Sequence, residues 1–104
     1  MRMWKVNVKK LCNKHLLGEH VEMHMFAGSI KKGNSIKGYI ETGLVEVHNI
    51  KKRHDEIAKE MLRRGMNHQS PLKIPKLRKQ GKVCKKRSKK DLIKRCKICR
   101  KNLN

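Results

Sequence analysis

The densest run of chemically capable side chains is His15-Leu16-Leu17-Gly18-Glu19-His20-Val21-Glu22-Met23-His24. On a helix, His15, Glu19 and Glu22 share one face at spacings of four and three, while His20 and His24 form a pair four apart on a neighbouring face. A carboxylate beside an imidazole can tune a general base. Two like-charged glutamates on one face must each find a cation or perform a specific task; an ordinary solvated polar face is the alternative reading. Metal ligation through His20 and His24 lacks the zincin pattern, in which a glutamate directly follows the first histidine.

A helix over residues 8–26 would carry this run. Val8, Leu11, Cys12, Leu16, Val21 and Met25 roughly follow helical spacing, and Asn7 is placed to cap it. Gly18 costs such a helix about 1 kcal/mol relative to Ala, which suggests close packing or the approach of a ligand. Ahead of it, residues 1–7 are short and mixed, beginning Met1-Arg2-Met3-Trp4. Over residues 27–48 Gly28, Gly33, Gly38 and Gly43 recur every five residues with Lys31, Lys32 and Lys37 between them. Such a loop suits phosphates, through exposed backbone N–H groups and lysine charge, or serves as a flexible connector. A second helix is expected over 49–65, with Ile50, Ile57, Ala58, Met61 and Leu62 buried, Arg63 and Arg64 at the negative end of its dipole and Gly65 as its stop. Ser70-Pro71-Leu72-Lys73-Ile74-Pro75 ends the compact part. Beyond it Lys and Arg dominate. Ser88-Lys89-Lys90-Asp91 resembles a capping box, and Leu92, Ile93 and Cys96 give a short third helix an apolar face. The remainder reads as a basic arm that orders on nucleic acid. The expected architecture is mainly α: a compact few-helix single domain with a Gly/Lys-rich loop between the first two long helices. Its helical core covers 1–75 and a basic, Cys-containing C-terminal segment covers 76–104.

Charge names the partner. Of 104 residues, 29 are Lys or Arg and 8 are Asp or Glu, a formal charge of +21. Such an excess calls for a polyanion, and nucleic acid is the default. A membrane surface is disfavoured, because no long amphipathic helix has a rich apolar face. Trp4, Phe26 and Tyr39 are too few to build a base-stacking platform. With no membrane-length apolar run and no apolar signal core, an intracellular protein is expected, whose Cys12, Cys84, Cys96 and Cys99 are thiols or metal ligands rather than disulfides. Cys96-x-x-Cys99 has metal-like spacing, but a second such pair is lacking. Cys84 is the nearest further ligand, with Cys12 or His68 as a fourth. Free thiols on a basic arm, with no metal and no cofactor, are the reading adopted.

Four motifs in register resemble one known family. The run His15-Leu16-Leu17-Gly18-Glu19-His20-Val21-Glu22 is similar to the active-site helix of the endonuclease V-type pyrimidine dimer DNA glycosylases. Gly38-Tyr39-Ile40, then Gly43-Leu44-Val45-Glu46, then His54-Asp55-Glu56 leading to Arg63-Arg64-Gly65-Met66-Asn67, follow in the same order over about residues 1–72. The resemblance implies a compact helical enzyme that bends duplex DNA, flips a nucleotide opposite the lesion, cleaves the glycosidic bond and nicks the backbone. It implies the α-amine of Met1 as nucleophile and Glu22 as essential carboxylate, with Arg2 and His15 at family site positions and Glu19 and His20 in support. The large side chain of Arg2 is expected to protect Met1 from removal. α-Amines ordinarily titrate near 7.7–8.0, so a neutral fraction exists near neutrality, ready to form a Schiff base.

The expected partner is therefore duplex DNA containing pyrimidine dimers or abasic sites, bound by a monomer through Lys31, Lys32, Lys37, Lys52 and Arg53, with no membrane involved. Val21 and Met25 depart from the family, whose best-known branch carries DNA-binding arginines there, and the aromatic-rich tail of that branch is replaced by a lysine-rich one. The rival reading is a non-catalytic nucleic-acid-binding protein of ribosomal or chromatin-like type; the histidine–glutamate cluster favours the enzyme, because a pure phosphate binder has no use for it.

Overall fold

A computed structural model describes residues 1–68 and 70–103. Among these, the chain forms α1 (Asn13–Lys31), α2 (Lys37–Glu41), α3 (Ile50–Arg63), α4 (Lys85–Arg95) and α5 (Lys97–Leu103), with 3-10 turns at Val8–Lys10 and Val47–Asn49 and no strand. The mainly helical, single-domain architecture expected from the sequence is what is found.

The first helix starts and ends later than its apolar spacing suggests. Asn7 caps only the 3-10 turn, its Oδ1 accepting the Lys9 N–H at 3.0 Å. The chain then extends through Leu11 and Cys12, and Cys12 becomes the cap of α1, its Sγ accepting the His15 N–H at 3.5 Å. The helix runs on past Gly28 because Leu16, Glu19, Met23, Phe26 and Ala27 make one continuous buried stripe. It closes before Gly33, which takes the left-handed φ of 75°. Much of the expected glycine loop is thereby helical, including α2. Burial of Glu19 also rotates the helix away from the face implied by simple hydrophobicity: Leu17, Val21 and Met25 are exposed.

α3 also buries residues that its apolar spacing does not suggest. Leu62, placed in the buried stripe by spacing, is 59% exposed, while Arg53, His54 and Glu60 are buried beside Ile50, Ile57 and Met61. The polar trio is tolerated because each has partners: Arg53 pairs with Glu19, His54 Nε2 meets the Ser70 carbonyl, and Glu60 accepts from Arg63 and Arg64. α1 and α3 form the main helix pair.

Residues beyond 76 fold back onto this pair. Val83, Leu92 and Cys99 are buried in the same apolar cluster as Leu16, Phe26 and Ile57. The return is stitched by one backbone bond and one to a side chain: the Val47 N–H donates to the Gln80 carbonyl at 2.9 Å, and the Val83 N–H donates to the Glu46 carboxylate, at Oε2, at 2.8 Å. Gly81, at φ 86°, permits this approach, since a Cβ there would collide with the Val45 carbonyl oxygen. α4 begins at Lys85, not at Ser88, which lies buried in the helix interior. The radius of gyration of 13.3 Å leaves no room for an extended arm, since about 13 Å is usual for a compact chain of this length. No helix among the described residues is long and apolar enough to cross a membrane.

Candidate active site

The N-terminal segment is threaded through the core. Met3, Trp4 and Val6 are buried, and the Met3 N–H donates to the Leu44 carbonyl at 2.6 Å. Glu19 and Arg53 fasten the next residues. The Trp4 N–H donates to Glu19 Oε2 at 3.2 Å, and Arg53 Nη1 donates to the Val6 carbonyl at 2.8 Å. Arg53 then grips Glu19 bidentately, through Nε at 2.6 Å and Nη2 at 2.9 Å. Between these anchors Lys5 adopts φ 60°, a left-handed conformation that costs a non-glycine residue about 1–2 kcal/mol. It is held there by its flanking bonds and by its own Nζ, 2.7 Å from the buried Glu46. Burial alone would raise the Glu46 pKa, but bonds from Lys5, the Val83 N–H and Asn49 outweigh it and keep the group below its ordinary range.

This threading delivers residue 1 to α1. The Met1 amine lies 3.8 Å from Glu22 Oε1, and the Arg2 N–H donates to the same oxygen at 3.3 Å. Burial pushes the Glu22 carboxyl above its ordinary pKa, and the positive N-terminus and the Arg2 N–H work against that rise. All eight Asp and Glu side chains lie within 4.0 Å of a cationic group, and seven of them use Lys or Arg. Glu22 alone takes the terminal amine.

Arg2 is itself fixed from the far end of the chain. Its Nη1 lies 3.2 Å from Asp91 Oδ2, and its Nη2 donates to Ser88 Oγ at 3.2 Å, both on α4. Its guanidinium also sits 4.0 Å over the Trp4 ring. Sequence reasoning missed Ser88 and Asp91 as holders of Arg2. Their spacing of three does place them on one helix face, but only the tertiary fold shows what that face meets.

The remaining expected site residues divide among several places. Glu19 is wholly buried beneath the amine–carboxylate pair as the anchor of the N-terminal segment. The ring of His15 points to sulfur, its Nδ1 being 3.2 Å from Cys12 Sγ and 3.7 Å from Cys99 Sγ. Burial, with Lys14 and Arg95 nearby, holds this imidazole below its ordinary pKa. His20 belongs to a group of four imidazoles with His24, His54 and His68. His68 Nε2 is 2.9 Å from His20 Nε2, and His24 and His54 both direct Nε2 to the Ser70 carbonyl, at 3.0 and 3.1 Å. Burial and then the neighbouring His54, His24 and His68 bring His20 down to a pKa of about 4.

Lys31, Lys32, Lys37 and Lys52 are exposed. Arg53, expected to join them against DNA, is 5% exposed and presents no charge to solvent, because the buried Glu19 requires its guanidinium. Lys52 lines a hollow of about 800 Å³ together with Lys5, Lys85, Lys86 and Lys89; Met1 and Glu22 do not line it. Cys84 stands apart from the other cysteines, exposed at the start of α4, where the N–H groups of Arg87 and Lys86 hold its thiol below the usual range.

Fold and site thus define a small, strongly basic helical protein that holds a half-buried carboxylate against its own N-terminus. The chain belongs to the pyrimidine dimer DNA glycosylase family, whose model matches residues 1–74. Membership implies a DNA substrate carrying pyrimidine dimers. No curated protein and no solved structure gives a match. The matched region contains Met1, Arg2, Glu19 and Glu22, whereas α4 and α5 lie beyond it.

Proposed function

We propose that the protein excises pyrimidine dimers from duplex DNA and then cleaves the strand at the resulting abasic site, with the Met1 amine as nucleophile and Glu22 as its carboxylate. The observation that carries this reading is the 3.8 Å approach of the terminal amine to Glu22, which among the described Asp and Glu side chains is the one whose cation is not a side chain. A non-catalytic nucleic-acid binder has no need to reserve a carboxylate for its N-terminus.

The neutral amine attacks C1′ of the damaged nucleotide, forming a C–N bond as the glycosidic bond to the base breaks. Glu22 stabilises positive charge on the sugar and moves the proton that opens the ring to a Schiff base. The cationic imine acidifies the C2′ hydrogen; loss of that proton expels the 3′ phosphate by β-elimination. Water then hydrolyses the imine and restores the amine. Burial, which pushes the Glu22 pKa upward, favours the proton-bearing form of a group that must exchange protons. Lys31, Lys32, Lys37 and Lys52 contact phosphates, and the exposed ridge of Leu17, Val21 and Met25 faces the DNA in place of charged side chains. Dimer-damaged pairs are already weakened, which lowers the few kcal/mol needed to flip a nucleotide.

Borohydride should trap a covalent protein–DNA adduct on dimer-containing and abasic duplexes, and peptide mapping should place it at residue 1. Glu22→Gln should fold and bind DNA yet lose about a hundredfold or more in base excision. Nicking of irradiated plasmid separates this enzyme from the non-catalytic alternative. An adduct that maps to a lysine, or normal excision by Glu22→Gln, refutes the assignment.

A further inference from the structure

Two turns 84 residues apart in sequence meet at the start of α1. One is Cys12-x-x-His15, which opens α1; the other is Cys96-x-x-Cys99, which joins α4 to α5. One ligand atom from each of the four residues lies within 4.8 Å of all the others. Cys12 Sγ is 3.8 Å from Cys96 Sγ and 3.2 Å from His15 Nδ1, and Cys99 Sγ is 3.7 Å from His15 Nδ1. A tetrahedral zinc ion, with bonds of about 2.3 Å to sulfur and about 2.0–2.1 Å to nitrogen, needs S–S edges of roughly 3.8 Å and S–N edges of roughly 3.6 Å. The S–S separation matches its edge, and the two S–N separations bracket theirs.

The surroundings suit thiolates. The Cys12 N–H donates to Cys99 Sγ at 3.2 Å, the Cys99 N–H donates to Cys96 Sγ at 3.5 Å, and the His15 N–H donates to Cys12 Sγ at 3.5 Å. Such donors stabilise anionic sulfur and orient it. Three thiolates around a divalent ion leave one net negative charge, and Lys14 and Arg95 lie beside His15 to meet it. A Cys12–Cys96 disulfide would need the sulfurs about 2.05 Å apart and would leave Cys99 and His15 unexplained.

We propose that Cys12, His15, Cys96 and Cys99 bind one structural Zn²⁺ in a closed tetrahedral site. Soft sulfur ligands with one imidazole select zinc over magnesium or calcium. Binding forms four coordination bonds and releases the three thiol protons to solvent. The ion staples the α4–α5 turn to the head of α1. Because α4 also carries Ser88 and Asp91, the partners of Arg2, the staple fixes the residue next to Met1. The site stands on its own four side chains, whether or not Met1 is the nucleophile.

The full-length chain, purified under reducing conditions, should carry one equivalent of zinc. Replacement with Co²⁺ should give the thiolate-to-cobalt charge-transfer band in the near ultraviolet. That band should vanish in Cys96→Ser/Cys99→Ser and persist in Cys84→Ser. His15→Cys keeps four ligands, so it should retain cobalt with a stronger band even if the double variant fails to fold. In the zinc-loaded native protein only Cys84 should react rapidly with a thiol reagent, and all four cysteines should react after unfolding with a chelator. Three results would overturn the site. One is a chain without bound metal. Another is cobalt held without a thiolate band, which would place it among His20, His24, His54 and His68. The third is a halved thiol count from a Cys12–Cys96 disulfide.

Discussion

Arg53→Met tests whether Glu19 and Glu22, three residues apart on α1, do different work. Arg53 is 5% exposed and Glu19 is fully buried, so neither charge can turn to water when the other is removed. The substitution deletes both bonds to Glu19, at 2.6 and 2.9 Å, and the bond to the Val6 carbonyl at 2.8 Å. Only the Trp4 N–H, at 3.2 Å, is left for the carboxylate. Breaking one side of a buried pair costs about 3–5 kcal/mol, and the orphaned carbonyl argues for the upper half of that range. Against a typical stability of about 5–15 kcal/mol, such a loss approaches the margin of folding. At about 4–8 °C per kcal/mol, the midpoint should fall by roughly 15–40 °C. Glu19→Gln/Arg53→Met leaves no uncompensated charge and should recover about 1 kcal/mol or more relative to Arg53→Met. Glu22→Gln, at a group 27% exposed, should stay within about 1 kcal/mol of the parent. Urea and thermal unfolding followed by helical circular dichroism at neutral pH read all four proteins. A melt for Arg53→Met within a few degrees of the parent, or a double variant no more stable than Arg53→Met, would refute the anchoring role of Glu19.

Val21→Ser/Met25→Ser alters residues 54% and 50% exposed, so stability should hold while affinity for dimer-containing duplex falls about 3–10-fold; unchanged affinity in a gel-shift titration removes the ridge from the DNA surface. Replacing Lys31, Lys32 and Lys37 with Gln should flatten the log–log salt dependence of duplex binding by about 0.9 for each lysine on a phosphate, and an unaltered slope leaves those lysines in solvent. His20, at a pKa of about 4 in the fold and near 6.5 when unfolded, binds its proton preferentially in the unfolded chain. Its contribution to stability is complete above about pH 6.5 and is lost as the pH falls toward 4, so melting temperature should drop through that window; an equally steep drop in His20→Asn would exclude this histidine as the cause. Truncation after Lys82 removes Val83, Leu92 and Cys99 from the core and Ser88 and Asp91 from Arg2, and should abolish cooperative melting; a cooperative melt would show that the helices before residue 76 suffice.

The sequence by itself determined the helical class, the polyanionic partner and the resemblance that points to Met1 and Glu22. These follow from local periodicity, from net charge and from short motifs, none of which needs the chain to be folded. It also posed the question of Glu19 and Glu22, which had either to find cations, to perform a specific task or to lie on a solvated face, without deciding among these. Only the tertiary structure decided that Arg53 serves Glu19 from inside the core while the terminus comes to Glu22, because both partners arrive from other segments. The same holds for the exposure of Val21 and Leu62: α1 buries Glu19 in line with Leu16, Met23 and Phe26, while α3 buries Arg53, His54 and Glu60 beside Ile50, Ile57 and Met61. Spacing along one helix cannot register a partner supplied by another. The lysine-rich tail looked like an arm because its composition is polar. A few buried side chains, Val83, Leu92 and Cys99, were enough to bring it home, setting Cys96 and Cys99 beside Cys12 and His15 across a sequence distance that no motif spans.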